Sequence, residues 1–178
     1  MQKAGWSRIR MTGGVMEDFF CKKFNDNLSL SYVLFNRVEQ NVFNSSKRFN
    51  LSISELSMLE AINRSPVHGK MVGDIACELM ITPSSVTIAV NRLEKKGYVF
   101  RKRSESDGRQ VYVNLTEKGR HADRIYKRFR KNMARDILEG MSDCEKLTLI
   151  KCVERMNNFL LNRINKSILN RDGLKNTA

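Results

Sequence analysis

Two short amphipathic segments separated by a tight turn constrain the fold of this chain more than any other feature. Between Met71 and Met80 the apolar residues recur at helical spacing: Val72, Ile75, Ala76 and Leu79. After the turn, Thr82 can cap a second helix and Pro83 suits its first position. The apolar face of that helix consists of Val86, Ala89, Val90 and Leu93, and Gly97 follows it. The pattern predicts two helices joined at an angle by the turn 80–83.

Two strand-like runs come next, at residues 98–103 and 110–115. The second run alternates, and we expect its apolar side to anchor it to the core: Val111, Val113 and Leu115. An Asp-Gly pair at 107–108 lies between the runs and favours a hairpin turn. A helix-turn-helix followed by a hairpin predicts a winged helix-turn-helix domain over residues 51–115.

Long apolar stripes flank this domain. The first lies on a helix expected from Glu17 to about Lys47: Leu28, Tyr32, Phe35, Val38 and Val42. Thr116 can cap a helix after the wing, and capping boxes at Ser52-Glu55 and Ser142-Glu145 predict two further helix starts. Stripes of this length need a partner helix, so the fold is expected to be mainly α with a small β-hairpin wing and dimerisation helices at both ends. The expected divisions are a flexible tail at 1–15, an N-terminal dimerisation helix at 16–50, C-terminal dimerisation helices at 116–165 and a polar tail at 166–178.

The charge balance indicates a polyanionic partner. The chain of 178 residues carries 32 Lys and Arg against 19 Asp and Glu, a formal charge of +13. Residues 92–103 contain six basic residues and one acidic residue, and residues 116–135 contain eight basic and two acidic. A basic run is usually a solvated helix face, and for 116–135 alone that interpretation is favoured.

The polar face of the second helix carries side chains suited to reading DNA. The candidates there are Thr82, Ser84, Ser85, Thr87, Ile88, Asn91 and Lys95. Short hydroxyls can reach phosphates, Asn91 can pair with an adenine edge, and Ile88 can touch a thymine methyl group. The basic run adds Arg101 and Arg103. These residues would be an ordinary surface on an isolated helix, but the wing and the cationic cluster favour a DNA contact.

Arg109 lies beside the tip of the expected wing. Its extended guanidinium could enter a narrow A·T-rich minor groove, where the potential is strongly negative. Asp107 could accept a hydrogen bond from it and hold it extended. The alternative is that Asp107 and Gly108 only form the turn and that Arg109 is a solvated charge.

The sequence offers little for catalysis or metal binding. It lacks a Gly-rich phosphate loop, a His-Glu-x-x-His motif and a Gly-x-Ser-x-Gly motif, so we expect no enzyme and no cofactor. The four cysteines form no Cys-x-x-Cys pair, which argues against a zinc site. Cys21 and Cys144 are redox candidates, although idle thiols are favoured. No window approaches the roughly 18 apolar residues of a membrane helix, so a cytoplasmic protein without a membrane partner is expected.

Residues 28–161 resemble the MarR family of bacterial winged-helix regulators. The most specific part is ITPSSVTIAVNRLEKKGYVFRKRSESDGRQVYVNLTEKG, with its Asp-x-Arg wing and the Leu-Thr-x-x-Gly after it. Shorter pieces, among them FNRVEQ and DIACELMIT, are similar to the FabT repressors of fatty-acid synthesis. The long basic N-terminal tail and the weakly capped helix at Met71 depart from the usual pattern.

The resemblance implies a transcriptional regulator, acting as a repressor, that binds a palindromic operator in double-stranded DNA as a homodimer. The FabT subgroup further implies acyl carrier protein with a long acyl chain as corepressor. Two alternatives stay open at this point. One is a MarR-type regulator of a phenolic or drug-like ligand, or of peroxide through Cys21. The other is a helical protein-interaction module without a specific DNA target.

Overall fold

The computed structural model of the chain describes residues 13–45, 50–65, 69–104 and 109–173. Its helices are α1 (Gly13–Ser45), α2 (Ile53–Asn63), α3 (Val72–Leu79), α4 (Pro83–Lys95), α5 (Glu117–Leu138) and α6 (Asp143–Gly173). Its strands are β1 (Lys70–Met71), β2 (Val99–Arg103) and β3 (Val111–Leu115). The chain divides into two compact units, one ending at Tyr126 and the other beginning at Lys127, so α5 contributes to both.

The first unit is built around α2, α3, α4 and a small antiparallel sheet. The strand order is β1-β3-β2, with Val99 opposite Leu115 and Lys70 opposite Val113. The side chains that fill the core come from all of these elements: Leu56, Leu59, Ile62, Ile75, Val86, Val90, Leu93, Tyr98, Val99 and Val113. The mainly α architecture and the hairpin wing are confirmed. The pairing of β1 was missed because a strand of two residues shows no alternation that a sequence could display.

The predicted helix starts are formed by the expected side chains. Ser52 and Glu55 make a reciprocal capping box, in which Ser52 N donates to Glu55 Oε2 at 2.8 Å and Glu55 N donates to Ser52 Oγ at 3.3 Å. Ser142 and Glu145 repeat the arrangement at the start of α6. At Met71 the described part of the chain supplies no side-chain cap for α3, as the sequence suggested.

Two sequence-based boundaries are wrong. Helix α1 begins at Gly13, so residues 13–15 are helical and do not belong to the expected tail; residues 1–12 lie outside the described part of the chain. Helix α6 continues to Gly173, well past the predicted end at 165. Polar residues suggested fraying there, but no Pro or Gly interrupts the backbone hydrogen bonds before Gly173.

Val111 is not the core anchor that the alternation predicted. Val113 and Leu115 are buried, whereas Val111 is 36% exposed. Val111 pairs with Arg103 at the far end of the hairpin, beyond the helices that cover the other two residues. Alternation predicts which side of the sheet a residue occupies. It does not predict whether other elements cover that side along the whole strand.

The junction between the wing and α5 is a close backbone contact. The Thr116 hydroxyl donates to Gly97 O at 2.7 Å, and Thr116 N donates to Tyr98 O at 3.0 Å. Gly119 then lies so close to Tyr98 that a Cβ atom at position 119 would overlap the Tyr98 carbonyl oxygen. The Leu-Thr-x-x-Gly sequence therefore seats the first turn of α5 on the residues that connect α4 to β2.

No single helix among the described residues has the length and hydropathy to cross a membrane, although the bent pair of α3 and α4 passes that test by length and composition together.

Replacing Gly119 by Ala should lower the free energy of unfolding by about 1–3 kcal/mol, because the added methyl group meets backbone that cannot rotate away. Urea denaturation of the purified protein measures the change. Gly73→Ala is the matched control: a Cβ there meets nothing within 4 Å, and the lost flexibility should stabilise α3 by about 0.5–1 kcal/mol. Equal unfolding midpoints for Gly119→Ala and the wild type would contradict the close contact.

Candidate DNA-binding surface

Helices α3 and α4 meet at a sharp turn. Their axes are bent by 111°, within the range of helix-turn-helix motifs. Met80 closes α3 in the left-handed conformation, with φ of 54°. The Met80 N–H donates to Cys77 O at 3.2 Å and the Ile81 N–H donates to Ala76 O at 3.0 Å, which satisfies carbonyls at the end of α3. Both N–H groups therefore bond back to α3 before α4 begins.

Helix α4 has one buried face and one exposed face. Val86, Val90 and Leu93 have no exposed surface. The candidate side chains on this helix are all exposed, from the cap onward: Thr82, Ser84, Ser85, Thr87, Ile88, Asn91 and Lys95. At 100° per residue, Ser84, Thr87, Ile88, Asn91 and Lys95 share the side opposite the core. Their contact with DNA stays a prediction.

Several of the hydroxyl groups on α4 already have intramolecular partners. Thr82 Oγ1 accepts from Ser85 N at 3.2 Å and lies 2.8 Å from Ser85 Oγ, which is the predicted cap. Thr87 Oγ1 donates to Pro83 O at 2.9 Å. Within the described residues the Ser84 hydroxyl has no hydrogen bond, so Ser84 needs no rearrangement to reach a phosphate.

The Arg101 side chain lies against α4. Its Nη1 atom pairs with the Glu94 carboxylate, and its Nη2 atom donates to Asn91 Oδ1 at 2.7 Å. The strand β2 passes beside the last turns of α4, so the nearest groups to this guanidinium belong to that helix. In this structure Arg101 therefore bridges the wing and α4, and the direct DNA contact predicted for it stays a prediction.

The remaining wing candidates lie toward the tip. Arg103 and Arg109 are both exposed, and Ser104 N donates to Gln110 O at 2.9 Å to continue the hairpin beyond β2. Asp107 and Gly108 lie outside the described residues, so the proposed contact between Asp107 and Arg109 stays a prediction. The hairpin places Arg109 at the end of the wing that is farthest from Tyr98.

A partly buried ion pair anchors the C-terminal end of α4. Lys96 Nζ lies 2.8 Å from Glu55 Oε1 and donates to Asn50 O at 2.7 Å. Lys118 donates to Lys96 O at 2.8 Å while its ammonium lies 4.3 Å from the centroid of the Tyr98 ring. Burial raises the pKa of the Glu55 carboxyl, but hydrogen bonds from Lys96 and the Ser52 backbone outweigh it and hold that pKa below 4.5.

In the sequence Lys96 is one of the six basic residues of the run 92–103, and its structural role was not predicted. One signal was present: the capping box fixes the Glu55 carboxylate at the start of α2, and a fixed carboxylate is a candidate partner for a lysine.

The structure adds no support for a redox role of the cysteines or for a metal site within the described residues. All four cysteines, including Cys21 and Cys144, are unpaired and exposed. In the ranges that the structure describes, no group of three His, Cys, Asp or Glu side chains could hold a metal ion.

The fold and the exposed face of α4 define a winged helix-turn-helix DNA-binding protein. Residues 41–124, slightly less than half of the chain, match the family described as Transcriptional regulator SarA/Rot. The chain is 31% identical over 137 residues to the HTH-type transcriptional regulator PecS of Dickeya dadantii, covering 76% of this chain and 80% of PecS. The chain is also 31% identical over 90 residues to YwhA of Bacillus subtilis. That alignment covers 50% of this chain and 65% of YwhA.

Among solved structures, FabT of Streptococcus pneumoniae in complex with DNA is similar, with a TM-score of 0.74 and 33% identity. The alignment covers 79% of this chain and 97% of FabT. The chain belongs to the MarR family of winged-helix transcriptional regulators. It is a DNA-binding regulator, and its relatives are regulators and not enzymes.

Glu55→Gln should reduce the pH dependence of stability. Because the folded state lowers the Glu55 pKa, the ion pair contributes fully above the ordinary value of 4.5 and is lost as the pH falls through the folded value. The variant cannot titrate at this position, so its free energy of unfolding should fall less steeply on acidification. Urea midpoints over a pH series measure both slopes.

Lys96→Met is the partner control for this prediction. It should destabilise the protein at neutral pH by leaving a buried carboxylate unpaired, and combining it with Glu55→Gln should cost less than the sum of the two. Parallel pH curves for the wild type and Glu55→Gln would exclude the ion pair as a source of stability.

Proposed function

We propose that this protein is a homodimeric repressor of fatty-acid synthesis genes that binds a palindromic operator more tightly when acyl carrier protein with a long acyl chain is present. The observation that carries the proposal is the likeness to FabT in complex with DNA, at 33% identity over 97% of that chain. The FNRVEQ and DIACELMIT segments support the same subgroup. Such a repressor would act in the cytoplasm, beside its DNA.

The DNA contact is proposed for the exposed face of α4 and the wing. In helix-turn-helix proteins the second helix enters the major groove, which admits one helix and presents a distinct pattern for each base pair. Ile88 is 54% exposed there, so its side chain is accessible to a thymine methyl group in the groove. Lys95 and Arg103 would add contacts to phosphates.

The homodimer is supported by apolar surface that neither unit covers by itself. On α1 the exposed large side chains include Phe20, Phe24, Leu28, Tyr32, Phe35, Val38 and Val42. On α6 they include Leu147, Ile150, Val153, Phe159 and Leu160. Patches of this kind usually mark an interface. A two-fold dimer would present two copies of α4 to half-sites about one helical turn apart.

The effector part of the proposal rests on charge. Acyl carrier protein is acidic, and the basic residues of α5 include Arg124, Arg128, Lys131 and Arg135, all exposed. Complementary charge accelerates association and selects an orientation. The test is a binding titration on the protein's own upstream DNA, with and without long-chain acyl carrier protein at fixed salt. Tighter binding is expected; an unchanged affinity would remove the effector while leaving the DNA-binding function.

Arg109→Ala should weaken operator binding and relax the preference for A·T pairs beside the half-sites, because the variant lacks a cation that a narrow minor groove attracts. Fluorescence anisotropy with A·T and G·C flanks measures both effects. Arg135→Ala removes the same charge from the last turn of α5 and should leave the flank preference unchanged. Identical flank preference in Arg109→Ala and the wild type would show that the wing does not read the groove.

Phe35→Glu should dissociate the dimer and reduce operator affinity, because it places a charge in the apolar stripe of α1. Arg37→Glu also places a carboxylate on α1, but about 160° around the helix from Phe35, and should stay dimeric. Sedimentation velocity gives the oligomeric state of each variant. Dimers of equal stability in both variants would exclude this stripe from the interface.

A further inference from the structure

The amide group of Asn91 is held from the side by the wing. Arg101 reaches across from β2 and bridges Asn91 and Glu94, which are one helical turn apart on α4. The planar guanidinium suits this bridge, since its parallel N–H groups can reach two acceptors at once. Asn91 itself is exposed on the face proposed to meet DNA.

The chemistry of this contact determines which end of the amide points outward. A guanidinium has only N–H donors, so the Asn91 atom that faces it is the acceptor Oδ1. The Nδ2 group is consequently turned away from Arg101, and within the described residues it has no hydrogen-bond partner. Asn91 therefore presents donors to whatever approaches α4.

This orientation changes the base that Asn91 can recognise. The usual pairing of Asn with adenine needs both ends of the amide, because Oδ1 accepts from the N6 amino group while Nδ2 donates to N7. Here Oδ1 already accepts a charge-assisted hydrogen bond at 2.7 Å, and the adjacent positive charge repels another amino group. Guanine offers two acceptors, O6 and N7, in the same places.

We propose that Arg101 is a positioning residue that holds Asn91 as a hydrogen-bond donor, so that Asn91 selects guanine over adenine. The inference rests on the proposed contact between α4 and the major groove. It replaces two expectations from the sequence. These are that Asn91 pairs with adenine and that Arg101 contacts DNA directly. The Glu94 carboxylate keeps the guanidinium in place.

The experiment is a selection from a random double-stranded DNA pool with the wild type, Asn91→Ala and Arg101→Ala, followed by affinity measurements on selected duplexes and their guanine-to-adenine variants. Asn91→Ala identifies the base pair that Asn91 reads, because preference is relaxed there. At that pair, Arg101→Ala should lower the guanine-to-adenine affinity ratio by about tenfold. Glu94→Gln should shift the ratio in the same direction by less.

Arg103→Ala is the matched control, since Arg103 lies two residues further along the same strand and outside this bridge. It should lower affinity for all sequences alike and reduce the salt dependence, as loss of a phosphate contact does. Arg101→Ala should leave the salt dependence unchanged. Thermal unfolding of each variant separates a change of base preference from a loss of folded protein.

Two results would overturn the inference, and they differ from a failure of the proposed function. If Arg101→Ala, like Arg103→Ala, lowers affinity for all sequences alike and reduces the salt dependence, Arg101 is a phosphate contact. Asn91→Ala that weakens every sequence equally would show that Asn91 reads no base. A wild-type protein that selects no common sequence would instead contradict specific operator binding itself.

Discussion

Burial of one face of α4 is the constraint on which the DNA-binding surface depends. Val86, Val90 and Leu93 are completely enclosed, so α4 cannot rotate about its axis without exposing them. Exposing even one such side chain costs about 1.5–3 kcal/mol, a large share of the stability of a small domain. The core thereby determines which residues of α4 face outward, and the caps at Thr82 and Lys96 determine where along its axis they lie.

The basic side chains fall into two groups, those that bind other parts of the protein and those that are exposed at the surface. Lys96 and Lys118 look from the sequence like part of a continuous cationic surface, but their ammonium groups contact carbonyls, a carboxylate and an aromatic ring of the protein itself. Arg101 is likewise turned toward α4. Lys95 and Arg103 remain exposed at the surface. The count of 32 Lys and Arg residues therefore overstates the number of basic side chains available to contact a nucleic acid.

Much of the fold could be predicted from the sequence because its signals are local. The capping boxes, Pro83 and the alternation in β3 each act within a few residues, and each appears where expected. What could not be predicted depends on contacts distant in sequence. The pairing of Lys70 with Val113, the exposure of Val111 and the bridge from Arg101 to Asn91 join residues whose proximity only the folded chain creates. The exposed candidate residues of α4 can be predicted from the helical period, because they share one face of a single helix. The intramolecular partners of Arg101 cannot be predicted in this way.

The contact between Gly119 and Tyr98 also has a mechanical consequence. The helix that begins there continues through Tyr126, where the first unit ends, and on to Leu138 without a Pro or a Gly after residue 119. An uninterrupted helix is stiff, and its first turn is fixed to the backbone at the root of the wing. Any displacement of that first turn must therefore move Tyr98 and the residues that join α4 to β2 together with it.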